Sequence, residues 1–274
     1  MFAKQRIQLK TPEQFALMRE AGLLVADTLA KLRAAVAPGV STKDLDELAE
    51  SNIRAAGGTP NFKGYYGYPA TICASVNDQV VHAIPSADQV LAEGDIISID
   101  CGAIIEGWHG DSAITVPVGE VDPALTRMID VAEDAMWAGI AAAGTGRRLT
   151  DISYAIEQVV RAGGQYGIVE GYGGHGIGTE MHQDPHILNY GRPGKGPKLV
   201  TGMALAIEPM ITMGRADVVE LDDQWTVVTA DHSLAAHVEH SVALCSDGLW
   251  VLTAPDGGRS RLGDLASALA TPAL

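Results

Sequence analysis

Long apolar runs are missing from this sequence: no window approaches 18 uninterrupted apolar residues, which argues against a membrane-spanning helix. The opening stretch, MFAKQRIQLKTPEQ, has no apolar core of the kind a secretory leader needs. Cysteine is scarce. Cys73, Cys101 and Cys245 cannot all pair and show no CxxC spacing, so a reducing cytoplasm is the expected compartment. Positive charge is scarce too. The 19 Lys and Arg against 34 Asp and Glu leave a net charge of −15, which argues against general nucleic-acid binding but leaves room for a small basic patch. Apolar residues (47%) and glycine (31) are plentiful, and 274 residues suffice for a globular α/β chain with a large core.

Helix signals come in two pairs. Thr11-Pro12-Glu13-Gln14 supplies an N-cap, a proline at the first helical position and Gln at the third. Apolar residues then recur at Phe15, Met18, Ala21, Leu24, Val25, Leu29 and Leu32, which is helical spacing to about Ala35. Ser41-Thr42-Lys43-Asp44 opens a second helix, closed by Gly57-Gly58. Pro123–Ala143 and Leu149–Ala162 form the second pair, closed by Gly163-Gly164. Between the pairs lie an aromatic, glycine-rich loop (NFKGYYGYP), a strand-like run over Thr71–Ile84, and Leu91–Val118.

That last stretch organises the chain. Its β-branched runs meet at Glu106-Gly107, a hairpin signal that pairs Ile105 with Trp108 and sets Asp100 opposite Ala113. Asp111 then falls on the same face as Asp100, at diagonal spacing. Two carboxylates converging inside an apolar hairpin call for a compensating cation; each could instead sit at a strand end in solvent.

A shift of 107 residues lays Gly39 on Gly146, Asp44 on Asp151, Glu50 on Glu157 and Arg54 on Arg161. At 108, Gly94 meets Gly202 and Asp100 meets Glu208; at 128, Asp111 meets Glu239. The sequence therefore reads as a duplicated unit, with halves of about 11–118 and 123–252 related by a pseudo-twofold axis. The expected architecture is an α/β (α+β) fold: one domain over 1–254, with outer helices on a curved antiparallel sheet. A Gly/Ala/Ser-rich tail, 255–274, is expected to be peripheral or mobile.

The duplication yields four carboxylates, Asp100, Asp111, Glu208 and Glu239. His175, in GYGGHGIG, is a fifth candidate, although it could equally be an ordinary loop histidine. Four acids and an imidazole suffice for two adjacent divalent ions. Oxygen-rich ligation favours Mn(II) or Fe(II) and permits Co(II) or Zn(II).

With DCGAIIEGWHGDSA, GGHGIGTEMHQDP, ALAIEPM and HVEHSV in order, the chain from Thr11 to Leu252 resembles the type I methionine aminopeptidases (peptidase family M24) of the pita-bread fold. The resemblance implies metal-dependent removal of the N-terminal methionine from nascent polypeptides whose second residue is small. By likeness Asp100, Asp111, His175, Glu208 and Glu239 hold two metals, Asp111 and Glu239 bridging. Glu208 would be the general acid/base, and His82 and His182 would contact substrate. Phe62, Tyr65, Tyr68, Cys73, Met181 and Trp225 would surround the methionine side chain. His237 and Ser241 depart from the pattern, which more often has Gln and Thr there; Met181 and Trp108 stand where Phe, or Phe or Tyr, is commoner.

Two rivals share the fold: Xaa-Pro aminopeptidases or prolidases, which usually carry a further N-terminal domain, and non-catalytic binding proteins, which typically lose ligands. The basic run Gly191–Lys198, with Arg192, Lys195 and Lys198, reads either as a solvated turn or as a ribosomal RNA contact. A monomer without membrane contacts is expected.

Overall fold

A computed structural model describes residues 7–270 of the protein. In chain order its first half runs α1 (Pro12–Ala35), α2 (Thr42–Ala55), β1 (Thr59–Pro60), β2 (Ile72–Val76), β3 (Gln79–Val81), β4 (Ile96–Ile105) and β5 (Trp108–Pro117). The second runs α3 (Pro123–Ala142), α4 (Leu149–Gly163), β6 (Gly167–Ile168), β7 (Gly174–Gly176), β8 (Gln183–Ile187), β9 (Ala204–Ile207) and β10 (Met210–Thr212). It continues through β11 (Val218–Glu220), β12 (Val227–Thr229), β13 (Ala235–His237), β14 (His240–Leu244) and β15 (Leu249–Val251).

The helices begin where side chains satisfy their free N–H groups. Thr11 Oγ1 accepts from Gln14 N while Gln14 Oε1 accepts from Thr11 N, a closed capping box. Ser41 and Asp44 repeat the device on α2, and the Asp151 carboxylate accepts from Arg148 N at the start of α4. The buried stripes of α1 and α2 (Val25, Leu29, Leu32, Leu45, Ile53) pack on Ile72, Ile97 and Ile99. Those of α3 and α4 (Met128, Ile140, Ile152, Ile156) pack on Leu205, Ile207, Val242 and Leu244. All strands of β1–β15 pair antiparallel, in four short sheets that together make the curved layer.

One turn recurs in the two helix pairs with the same pair of hydrogen bonds. Gly39 N donates to Leu91 O and Leu91 N to Val40 O; Gly146 N donates to Leu199 O and Leu199 N to Arg147 O. Gly39 and Gly146 have φ of 91° and 93°, and Gly94 and Gly202 have 92° and 96°. These turns lie in the left-handed region that glycine enters without steric penalty, which explains why they are among the few identities the repeat keeps.

In one place the chain departs from expectation. The run Thr71–Ile84 is not one strand: Asn77, at φ 58°, turns it so that β2 pairs with β4 while β3 crosses to β12. Residues 255–270 lie largely at the surface, with a few side chains tucked inward. Leu262, Ser267 and Ala270 are buried, and the Arg19 guanidinium donates to the carbonyls of Val251, Leu252, Ala254 and Pro255. The rest of that segment, 271–274, lies outside the described residues, as does 1–6. Among the described residues no helix is long and apolar enough to cross a membrane.

Candidate metal centre

The β4–β5 hairpin turns at Glu106 and Gly107, both at positive φ, as a two-residue turn requires to match strand twist. Its register pairs Asp100 with Ala113 and Gly102 with Asp111, so both carboxylates leave the same face, opposite the one on which Ile99 and Cys101 meet the helices. The second half arrives by direct pairing: Ala113 N donates to Glu239 O (3.3 Å) and Glu239 N to Ala113 O (2.9 Å). Ser241 Oγ accepts from Asp111 N and donates to Asp111 O, and Ser112 Oγ donates to Glu239 O. The two acids are therefore locked backbone to backbone across the interface of the halves. Potential ligand atoms of Asp111, His175 and Glu239 lie within 4.8 Å of one another.

Glu208 follows β9 directly, and its two oxygens each face an imidazole. His175 Nε2 is 3.4 Å from Oε1 and His237 Nε2 is 3.5 Å from Oε2. His175 Nδ1 donates to the Gly176 carbonyl at 2.9 Å, which leaves a lone pair on Nε2. With Glu208 ionised, lone pair and carboxylate oxygen are both acceptors, an approach that a cation held between them would make favourable.

The electrostatics make the same demand. Burial pushes the Asp100 carboxyl up to about 7, with Glu208 adding repulsion, and holds Asp111, Glu208 and Glu239 well above the usual range. Burial also drives His175 down to about 3, leaving a neutral imidazole suited to ligation. Among the described residues no Lys or Arg lines the cavity. Asp100 Oδ1, Asp111 Oδ1 and Glu239 Oε1 are buried without a hydrogen-bond partner, a costly arrangement unless a cation fills it. The donor set, four carboxylates and a neutral imidazole, fits hard to borderline divalent ions.

These groups open into a cavity of ≈ 90 Å³. His82 and His182 lie in its wall; His82, at φ 61°, has just left β3. His82 is held down to about 4 and His182 below its ordinary value, both by burial. Phe62, Tyr65, Tyr68, Cys73, Met181 and Trp225 form the apolar end as one contact cluster, with Tyr68 and Trp225 edge-to-face at 5.0 Å. All the candidate site residues thus converge from remote segments. Two wall residues carry no role in the sequence reading, Val81 and His237. For His237 the available signal was strand alternation, since a residue two before Glu239 shares its face. Arg192, Lys195 and Lys198 lie elsewhere, in an exposed turn held to the start of α4 through Thr150 and Asp151.

Such a fold and acid-rich centre define a metallopeptidase, and the model of metallopeptidase family M24 matches residues 16–244. The chain belongs to that family. It is 56% identical over 241 residues to methionine aminopeptidase 1 of Mycobacterium tuberculosis, covering 86% of this chain and 91% of that protein. It is 47% identical to methionine aminopeptidase 1 of Bacillus subtilis, covering 89% and 98%. Among solved structures, methionine aminopeptidase from Rickettsia prowazekii superposes with a TM-score of 0.89 at 40% identity, covering 91% of this chain and all of that one. Prolidase from Pyrococcus furiosus shares the fold alone: the TM-score is 0.73 at 19% identity, and only 65% of that chain is covered.

Proposed function

We propose that this chain hydrolyses the first peptide bond of nascent polypeptides, releasing methionine when the second residue is small. The observation that carries this reading is the joint lining of one small cavity by the acid cluster and an aromatic and thioether-rich wall. Asp100, Asp111, His175, Glu208 and Glu239 would hold two divalent ions, Mn(II), Fe(II), Co(II) or Zn(II). Bound there, divalent metal supplies Lewis acidity that lowers the pKa of water and polarises a carbonyl.

The protein's own groups do the rest. Glu208, facing the cavity beside His175, takes the proton of the attacking water and delivers it to the departing amine. His182, neutral and on the cavity wall, donates a hydrogen bond toward the developing oxyanion. His82 contacts the scissile amide. The apolar wall receives the methionine side chain and excludes water from it.

Metal analysis of the purified protein, combined with methionine release from Met-Ala-Ser and from an Xaa-Pro peptide, tests the reading. Release from the first and not the second is expected; the reverse would make the chain a proline-directed peptidase. The enzyme is further proposed to act as a cytoplasmic monomer and to meet ribosomal RNA phosphates through Arg192, Lys195 and Lys198, a salt-sensitive contact. Replacing the three with Glu should abolish co-sedimentation with ribosomes at low salt.

A further inference from the structure

The two imidazoles facing Glu208 have different tautomers available to them. His175 has its Nδ1 proton committed to the Gly176 carbonyl, so it offers Glu208 Oε1 a lone pair. His237 is under no such constraint. Its ring is 2% exposed, its Nε2 has no hydrogen-bond partner, and the nearest acidic atom is Glu208 Oε2 at 3.5 Å. A carboxylate oxygen only accepts, so the tautomer with the proton on Nε2 is the one that makes this approach attractive.

The backbone of His237 is fixed from both sides. Its N–H donates to Ser98 Oγ (3.2 Å) and Thr115 Oγ1 (3.1 Å), while Thr115 Oγ1 donates to its carbonyl (2.8 Å). In the sheet it pairs with Met210, two residues after Glu208. The ring is therefore presented to the carboxylate by strands from both halves of the chain, with Nε2 and Oε2 3.5 Å apart. Such bonds commonly tighten once a catalytic site engages its substrate.

We infer that His237 is a positioning residue: from Nε2–H it holds Oε2 of Glu208, so that Oε1 is turned toward His175 and the metal centre. This rests on the role proposed for Glu208. It also accounts for a histidine where the resembling family more often has glutamine. Both side chains carry an N–H donor, so His237→Gln conserves the function while an apolar replacement removes it.

The test compares His237→Gln and His237→Leu in two measurements. The first is calorimetric titration of metal-free protein with Mn(II), which reads ligand positioning independently of any peptide. The second is kcat and KM for Met-Ala-Ser. Losing a hydrogen bond to a metal ligand typically costs about 10–100-fold in metal affinity or activity. The Leu variant is expected to lose that much in Mn(II) affinity and kcat with little change in KM, and the Gln variant to stay within about threefold of wild type, the rescue expected when the donor is kept. Unchanged Mn(II) affinity and kcat in the Leu variant would overturn the proposal, and so would a Gln variant as impaired as the Leu one. If thermal melting shows that the Leu variant does not fold, His237→Ala takes its place. Failure of the functional reading is separate: it appears as wild-type protein that binds Mn(II) and releases no methionine.

Discussion

Tyr65 Oη lies 2.9 Å from His182 Nδ1, with the two rings inclined at 55°. Burial raises the phenol above its ordinary range and lowers the imidazole, so both are neutral near pH 7. A phenol O–H donating to Nδ1 leaves the proton of His182 on Nε2, the tautomer that can donate to an oxyanion in the cavity. Tyr65→Phe keeps the aromatic wall and removes only that hydroxyl. One such hydrogen bond contributes about 0.5–1.5 kcal/mol. A fall in kcat of roughly 3–10-fold with KM little changed is therefore expected. A variant with wild-type kcat would show that Tyr65 does not set the imidazole.

Metal removal and pH should act together on stability. The carboxyls of Asp100, Asp111, Glu208 and Glu239 are raised in the folded protein, Asp100 to about 7. An acid with a raised folded pKa binds more protons folded than unfolded across the interval between the two values. From the ordinary carboxylate range near pH 4 up to about 7, metal-free protein therefore loses stability as pH rises. Chelator-treated protein should melt higher at pH 5.5 than at pH 7.5, and Mn(II) should restore the melting temperature at pH 7.5. The general repulsion of a chain with net charge −15 acts in the same direction. Asp100→Asn separates the two, because it removes one titrating group and should flatten the dependence. An identical slope in that variant would assign the effect to overall charge.

Removing Asp111 should be the most damaging change at the centre itself. Asp111→Ala deletes the carboxylate of a residue that is 3% exposed and whose backbone N–H and carbonyl are held by Ser241 Oγ. The remaining set keeps three of its four carboxylates and His175, and its hold on divalent metal weakens. Loss of methionine release to background, with metal content falling by half or more, is the expected result; full activity in the purified variant would end the two-ion reading.

What could be read from the sequence was local chemistry. The turn at Glu106-Gly107 fixes the register of β4 on β5, and register alone brings Asp100 and Asp111 to one face. Thr11, Ser41 and Asp122 mark helix starts because a short polar side chain satisfies N–H groups nothing else reaches. What escaped depends on contacts distant in the chain. Arg19, more than 230 residues earlier, anchors the carbonyls of Val251, Leu252, Ala254 and Pro255, and nothing local to either segment announces that contact. Asn and His enter the left-handed region more readily than most residues, but that tendency alone does not show that Asn77 and His82 flank β3 where it leaves β2 to pair with β12. His237 escaped for a third reason: its meaning lies in Glu208 Oε2, reached only when β10 pairs with β13.

The seam between α1 and β5 has a sharp steric requirement one residue before Asp111. A Cβ on Gly110 would lie 2.7 Å from Gly22 N and 2.8 Å from Ala21 C, and a Cβ on Gly22 would lie 2.3 Å from Leu252 O. All three contacts are backbone and cannot rotate away. Gly110→Ala must push α1 off the hairpin, and overpacking of this kind costs about 1–3 kcal/mol. A lower denaturant midpoint is expected, together with weaker metal binding because Asp111 moves with its neighbour. Wild-type stability in this variant would show that the helix is free to shift.

Substrate choice should follow the shape of the apolar wall. Phe62, Tyr68, Cys73 and Met181 are all buried around the end of the cavity, and Trp225 closes it edge-on to Tyr68. Asp223 holds that tryptophan in place by accepting from Trp225 N (2.9 Å) and Thr226 N (2.8 Å). The apolar end of the ≈ 90 Å³ cavity, walled by aromatic rings and sulfur atoms, suits a flexible, unbranched thioether, and each sulfur–aromatic contact contributes about 0.3–1.5 kcal/mol. Norleucine keeps the shape and loses only the sulfur contacts, so it should be cleaved appreciably. Leucine branches early and meets the wall; a mismatch of one methylene in an apolar pocket costs about 1–3 kcal/mol, or 10–200-fold in kcat/KM. Lysine would bring an ammonium among aromatic rings at the cost of its hydration, and no cleavage is expected. Comparing kcat/KM for Met-, norleucine-, Leu- and Lys-Ala-Ser tests the order. Equal rates for leucine and methionine, or any turnover of lysine, would remove these residues from the specificity wall while leaving the metal centre untouched.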